Sequence, residues 1–212
     1  MVDPSATVAP TAVVSGDVRV GPRSRILHGA VLTAEDGAIV VGQECVVMEH
    51  ALVRGRAGHP VVIGDHVLIG PHAHVNGARI DDEAFIATGA SVFPGATVGT
   101  GAEVRINGVV QVNTTLEPGA VVPIAWVAVG TPAQLFSPDR HEEIWAVQQP
   151  LDFPGTVYGV DRSGGRPRLR ATCSASRSSW STARRTSDWN STPSTRRCAS
   201  ARMITTAHSG RR

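Results

Sequence analysis

The sequence contains no lysine, few aromatic residues and three cysteines, and each shortage excludes a class of protein. All 20 basic residues are arginines, and aromatic residues make up 4% of the 212 residues. This composition favours a core of small, regular Val, Ala and Gly layers over a core built around large rings. The cysteines have no framework spacing and no CxxC pair, so we expect a reduced, cytoplasmic chain without disulfides.

The chain also lacks long apolar runs and an apolar start. No run approaches 18 residues, and the first ten residues, MVDPSATVAP, contain neither a basic nor an apolar stretch. We therefore expect no membrane span and no signal peptide.

Positive charge is concentrated at the end of the chain. Residues 166–212 contain 11 arginines against one acid, so this tail is about +10, and the remainder is −8 because the whole chain is +2. Arg, Ser and Thr dominate the tail, and we expect it to be disordered. Nonspecific phosphate contact is the only nucleic-acid binding that we expect from it. A GC-rich gene read in a shifted frame would produce the same bias, which is a second interpretation.

Aliphatic and small residues recur with a period of six. From residue 80 the chain divides into IDDEAF, IATGAS, VFPGAT, VGTGAE and VRINGV. An aliphatic residue opens each unit and a small residue follows four places later. The same frame holds upstream at Ile63, Ile69 and Val75, with one five-residue step from Val75 to Ile80.

A period of six predicts an all-β fold, a left-handed parallel β-helix of hexapeptide repeats with a C-terminal α-helix. We expect the β-helix over residues 1–135. Residues 136–165 should form a helix and an extension that pack on it, with Ser137 or Asp139 as helix cap, Ile144 and Val147 on one face, and Pro150 as the stop. Residues 166–212 form the basic tail.

Within this fold, residues 24–135 resemble γ-class carbonic anhydrases of the hexapeptide-repeat superfamily. The resemblance rests on SRILHGAVLTAE (24–35), ECVVMEHALVR (44–54) and VIGDHVLIGPHAHVNGARIDDEAFIATGA (62–90). It implies a homotrimer in which three histidines at the boundary between subunits hold zinc, whose bound hydroxide attacks carbon dioxide.

The positions that the resemblance assigns to the three histidines hold other residues here, namely Arg54, Pro71 and Asn76. Proline cannot bind zinc, and a protonated arginine repels it. Arg54 and Asn76 are instead candidates for binding a small anion, or Arg54 forms an intersubunit salt bridge with Glu35 or Glu49. Glu49 is also a candidate proton shuttle.

A displaced zinc site is an alternative, because five of the eight histidines lie between residues 50 and 74. His72 and His74 flank an inward Ala73, so both should project outward, and His50 or His66 could supply a third ligand. The other interpretation is that these side chains hydrogen-bond across a subunit boundary or face water.

Three functions therefore stay open. The chain is a carbonic anhydrase with a relocated metal, or a divergent, metal-free trimer that binds small anions or serves in assembly. The third is an acyltransferase of the same superfamily, with His72 as general base.

Overall fold

The structure, a computed structural model, describes residues 1–151, and these residues form a parallel β-helix followed by a short helix. Each coil contributes one strand to each of three sheets, so consecutive strands from β1 to β20 lie in different sheets. The predicted all-β architecture of stacked hexapeptide coils is confirmed. Residues 152–212, which include the predicted tail, lie outside the described residues.

The three sheets are built as follows. The first sheet contains β1 (Thr7–Val8), β4 (Arg25–Ile26), β7 (Val46–Val47), β10 (Leu68–Ile69), β13 (Phe85–Ile86), β16 (Glu103–Val104) and β19 (Val121–Val122). The second sheet contains β2 (Val13–Ser15), β5 (Val31–Ala34), β8 (Leu52–Gly55), β11 (His74–Asn76), β14 (Ser91–Val92), β17 (Val109–Val110), β20 (Val127–Val129) and β21 (Gln134–Phe136). The third sheet contains β3 (Val18–Val20), β6 (Ile39–Val41), β9 (Val61–Ile63), β12 (Arg79–Ile80), β15 (Thr97–Val98) and β18 (Thr115–Leu116).

The aliphatic residue that opens each hexad points into the column. Ile63, Ile69, Val75, Ile80 and Ile86 are at most 1% exposed. The small residue of each unit is buried at the corner, so the chain passes close to the axis there. Each coil rests on its neighbours, and the buried residues of the stacked coils form one continuous core.

The length of the coils changes around β5 and β8. Thr7 pairs with Arg25, 18 residues later, whereas Arg25 pairs with Val46 and Val46 with Leu68, at spacings of 21 and 22. The extra residues follow β5 and β8 and bulge from the corner between the second and third sheets. Behind β8 they form a tight turn in which Arg56 and His59 make an antiparallel bridge.

The end of the column is covered by β21, which pairs antiparallel with β20, and by helix α1 (His141–Gln148). Ile144 is buried there with Val127, Val129 and Phe136, and Val147 packs against them, as the sequence predicts. No helix in residues 1–151 is long and apolar enough to cross a membrane.

The predicted helix start is wrong. The N-cap is Arg140, without a side-chain hydrogen bond to the helix, and neither Ser137 nor Asp139 takes that place. The physical reason is that the Asp139 carboxylate is hydrogen-bonded to Ser137, while Arg140 pairs with Glu143 in the first turn. Pro150 lies in a 3-10 helix (Gln149–Leu151) that continues directly from α1.

Candidate functional site

The candidate site lies on the outer face of the second sheet, where β8 and β11 are adjacent. Side chains alternate along a strand, and Val53 and Val75 point into the core. Their neighbours Leu52, Arg54, His74 and Asn76 therefore share the outer face. Leu52 pairs with His74, and Arg54 pairs with Asn76. Two of the three positions at which the resemblance implies histidines are thus direct neighbours.

This face contains buried polar atoms without hydrogen-bond partners. Within residues 1–151, the buried side-chain nitrogen and oxygen atoms that lack a partner are Arg54 Nε, His74 Nε2 and Asn76 Oδ1. Asn76 as a whole is 6% exposed. A buried polar group left unpaired costs roughly 1–3 kcal/mol. All three atoms belong to residues of the paired strands β8 and β11.

Arg54 has an ionic partner in the same chain. Its Nε lies 3.4 Å from Oε1 of Glu35, close enough for an ion pair but not oriented for a hydrogen bond. The side chains of Arg54 and Glu35 are 34% and 42% exposed. Glu35 is held near Arg54 because β5 pairs with β8 and the Glu35 amide donates to the carbonyl of Gly55.

The surroundings of His74 favour its neutral form. Burial lowers its pKa from 6.5, and the positive charge of Arg54 lowers the pKa further. The ring lies edge-on to Phe93, with the ring centroids 6.1 Å apart. Arg54 is therefore the cation of this face, and Glu35 partly neutralises it.

His50 and His72 lie at the corner that precedes the second sheet. Both adopt left-handed backbone conformations, with φ of 58° and 57°. Their rings stack with centroids 5.2 Å apart and an angle of 11° between the planes. His50 also covers Gly29, where an added Cβ would lie 2.4 Å from the His50 ring. Because imidazole lone pairs lie in the ring plane, two parallel rings do not converge on one metal ion.

His66 lies at a different corner, between the third and first sheets. Its Nδ1 is 3.1 Å from Oε2 of Glu44, and Arg23 pairs with Oε1 of the same carboxylate at 2.6 Å. The structure thus brings His50 next to His72 but separates His66 from them, in a ladder of exposed charges.

Glu49 and Pro71 occupy the corner beside the two stacked histidines. Glu49 is partly buried, and its backbone carbonyl accepts a hydrogen bond from the His72 amide at 3.1 Å. Pro71 lies in the turn before β11, five residues before Asn76.

The turn after β8 belongs to the surroundings of the site, and the sequence analysis did not identify it. Its His59 packs on Gly77, the residue after Asn76, and a Cβ added to Gly77 would lie 2.6 Å from the His59 Cβ. The signal available in the sequence is GRAGH (55–59), in which two glycines interrupt the hexad frame.

The residues present do not fit the zinc site that the resemblance implies. Arg54 is a cation, Pro71 has no donor side chain, and Asn76 supplies one neutral oxygen. Among residues 1–151, no three or more His, Cys, Asp or Glu side chains come together in a way that could hold a metal ion.

Comparisons with known proteins agree with the resemblance. The chain is 40% identical over 93 residues to "Gamma carbonic anhydrase 3, mitochondrial" of Arabidopsis thaliana, covering 41% of this chain and 36% of the relative. It is 36% identical over 96 residues to "Gamma carbonic anhydrase 1, mitochondrial" of the same plant, covering 42% and 34%. The chain thus spans about a third of the length of these relatives. No protein-family model matches it.

Among solved structures, the chain is similar to a hexapeptide transferase family protein from Anaplasma phagocytophilum. The identity is 26%, the TM-score is 0.44, and the match covers 70% of this chain and 84% of the other.

Proposed function

We propose that this γ-carbonic anhydrase-like hexapeptide-repeat protein binds a small anion at the position where its relatives are expected to hold zinc. The observation that carries the proposal is the register of β8 and β11, which makes Arg54 and Asn76 direct neighbours. Both occupy places that the resemblance assigns to metal ligands. Arg54 and Asn76 in place of metal ligands would turn a site for a cation into a site that attracts negative charge.

The contacts of the face support an anion as the occupant. Arg54 offers a fixed positive charge and several N–H donors, and hydrogen bonds between a guanidinium and a carboxylate are among the strong ones in proteins. The unpartnered Nε of Arg54 and Nε2 of His74 lie on the same face. Because these two nitrogen atoms are covered, a ligand carboxylate would contact the exposed part of the Arg54 side chain.

Carbon dioxide hydration is weak or absent under this proposal. In the zinc-dependent reaction the metal lowers the pKa of a bound water to about 7 and so supplies hydroxide at neutral pH. Arg54 and His74 cannot lower the pKa of a water molecule in this way. Without a metal-bound water, Glu49 would have no proton to transfer as a shuttle.

The working form that we propose is a homotrimer in the cytoplasm. A neighbouring copy on the outer face of β8 and β11 would cover the half-buried Leu52 and His74 and complete the site at a subunit boundary. The free, buried Cys45 suits a reducing compartment.

Metal content and anion binding of the purified full-length protein test the proposal together. We expect less than stoichiometric zinc by elemental analysis, unchanged in His72→Ala. We also expect millimolar binding of acetate, on the order of 4 kcal/mol, that is lost in Arg54→Gln. Arg79→Gln is the matched control, because Arg79 lies on β12 in the third sheet and pairs with Asp81. Stoichiometric zinc that disappears in His72→Ala would contradict the proposal and support the relocated metal site.

A further inference from the structure

Glu35 is a carboxylate that the fold itself holds against Arg54. Strand β5 ends beside β8, and the Glu35 amide donates to the carbonyl of Gly55 at 3.0 Å. Its Oε1 therefore lies 3.4 Å from Arg54 Nε as a consequence of strand pairing. A carboxylate from solution that approaches Arg54 meets a position that another carboxylate already occupies.

The contact between Glu35 and Arg54 is weak enough to be displaced. In the single chain both side chains are more than a third exposed, and the Arg54 Nε–H is not hydrogen-bonded to Glu35. Exposed ion pairs of this kind contribute little, and double-mutant cycles place them at a factor of up to about five in an equilibrium constant. A ligand that forms directed hydrogen bonds to Arg54 can therefore compete.

The dimensions and charge of the face select the class of ligand. The backbone positions of Leu52, Arg54, His74 and Asn76 span one strand spacing, about 4.8 Å, by two residues, about 6.6 Å. A patch of this size can contact only a small ligand. Arg54 is the arginine of this face, so it balances a ligand with one negative charge but not a ligand with two.

We propose that Glu35 is a built-in competitor of the ligand at Arg54, and that the ligand is a small monocarboxylate which displaces it. The inference rests on the proposed anion site and adds its ligand class and its regulation. In the unliganded protein Glu35 neutralises Arg54, and on binding the Glu35 side chain turns into solvent. The strength of the internal pair then sets the threshold concentration at which the site fills.

Acetate binding to four forms of the full-length protein tests the inference. The forms are wild type, Glu35→Gln, Asp36→Asn and Arg54→Gln, and broadening of the ¹³C-acetate resonance at constant ionic strength measures the Kd. We expect Glu35→Gln to bind acetate about two- to fivefold more tightly than wild type. Asp36→Asn is the matched control, because it removes the same charge from the neighbouring exposed residue. It should leave the Kd unchanged, and Arg54→Gln should abolish binding.

The alternative outcomes separate this inference from the anion site itself. Equal affinity of wild type and Glu35→Gln, with binding still lost in Arg54→Gln, would contradict the role of Glu35 as a competitor. It would still be consistent with an anion site at Arg54. Equal tightening in Asp36→Asn would also overturn it, because net charge alone would then explain the effect. An absence of acetate binding in all four forms would overturn both proposals. Thermal melts of each form check that the variants are folded.

Discussion

His74 has a half-buried imidazole beside an arginine, and both features disfavour its protonation. Burial is the larger cause of its lowered pKa, and the charge of Arg54 is the smaller one. We expect Arg54→Gln to raise the pKa of His74 without restoring it to 6.5, because burial remains. An NMR titration of the ring protons measures this pKa. An unchanged pKa in the variant would show that Arg54 does not act on His74.

The same shift makes stability depend on pH. The folded pKa of His74 lies below that of the unfolded chain, so the unfolded chain takes up the proton first as the pH falls. The free energy of unfolding should therefore decrease as the pH falls through about 6.5, and level off below the folded pKa. Urea titrations at several pH values should give a shallower decrease for His74→Gln than for wild type. An equal slope in both proteins would contradict the assignment to His74.

The hexads and the resemblance predict the places of Arg54 and Asn76, but not their contacts. The sequence suggests Glu35 or Glu49 as a partner of Arg54 across a subunit boundary, whereas the structure pairs Arg54 with Glu35 in the same chain. That pair depends on how β5 and β8 align in coils of 21 and 22 residues. A six-residue frame fixes which side chains point outward, but it does not fix the register of coils with extra residues.

At the scale of single elements, the turn after β8 and the corner at Gly77 depend on each other. Gly77 has a φ of 55°, and a Cβ there would lie 2.6 Å from the His59 Cβ. Gly77→Ala therefore adds a steric clash to the cost of a left-handed alanine, which is about 1–2 kcal/mol. We expect a loss of roughly 2–4 kcal/mol in the free energy of unfolding, measured with urea.

Gly101 provides the matched control for this turn. Its φ is 64°, but an added Cβ would have no neighbour within 4 Å. Gly101→Ala should lose only the backbone cost, about 1–2 kcal/mol. If the two variants lost the same stability, the contact between His59 and Gly77 would not be tight, and the turn would not be held against the site.

The elements also show where local signals mislead. The strands follow from the aliphatic position of each hexad, since burial there repeats in every coil regardless of the neighbouring sequence. The helix start fails because Ser137 and Asp139 bond to each other instead of to the helix. The sequence alone does not show whether a Ser or Asp side chain caps a helix or bonds to another side chain. The stacking of His50 on His72 likewise follows from the backbone conformations of the corners, which the positions of the histidines in the sequence do not specify.

At the scale of the whole molecule, the proposed trimer requires one face of the column to differ from the others. Leu52 and Val62 are both half-buried residues on the outside of the column, Leu52 on the second sheet and Val62 on the third. Leu52 pairs with His74 at the candidate site, and Val62 pairs with Arg79. Both residues are apolar, so the same substitution at each compares the two faces directly.

We expect Leu52→Arg to convert the homotrimer to smaller species, because a desolvated arginine at a subunit boundary costs several kcal/mol when it is unpaired. Val62→Arg should leave the trimer intact, since its side chain extends into solvent beside Arg79. Analytical ultracentrifugation of the full-length protein measures both masses. Loss of the trimer in Val62→Arg alone would place the subunit boundary on the third sheet. A monomeric wild type would show that the proposed site does not lie at a subunit boundary.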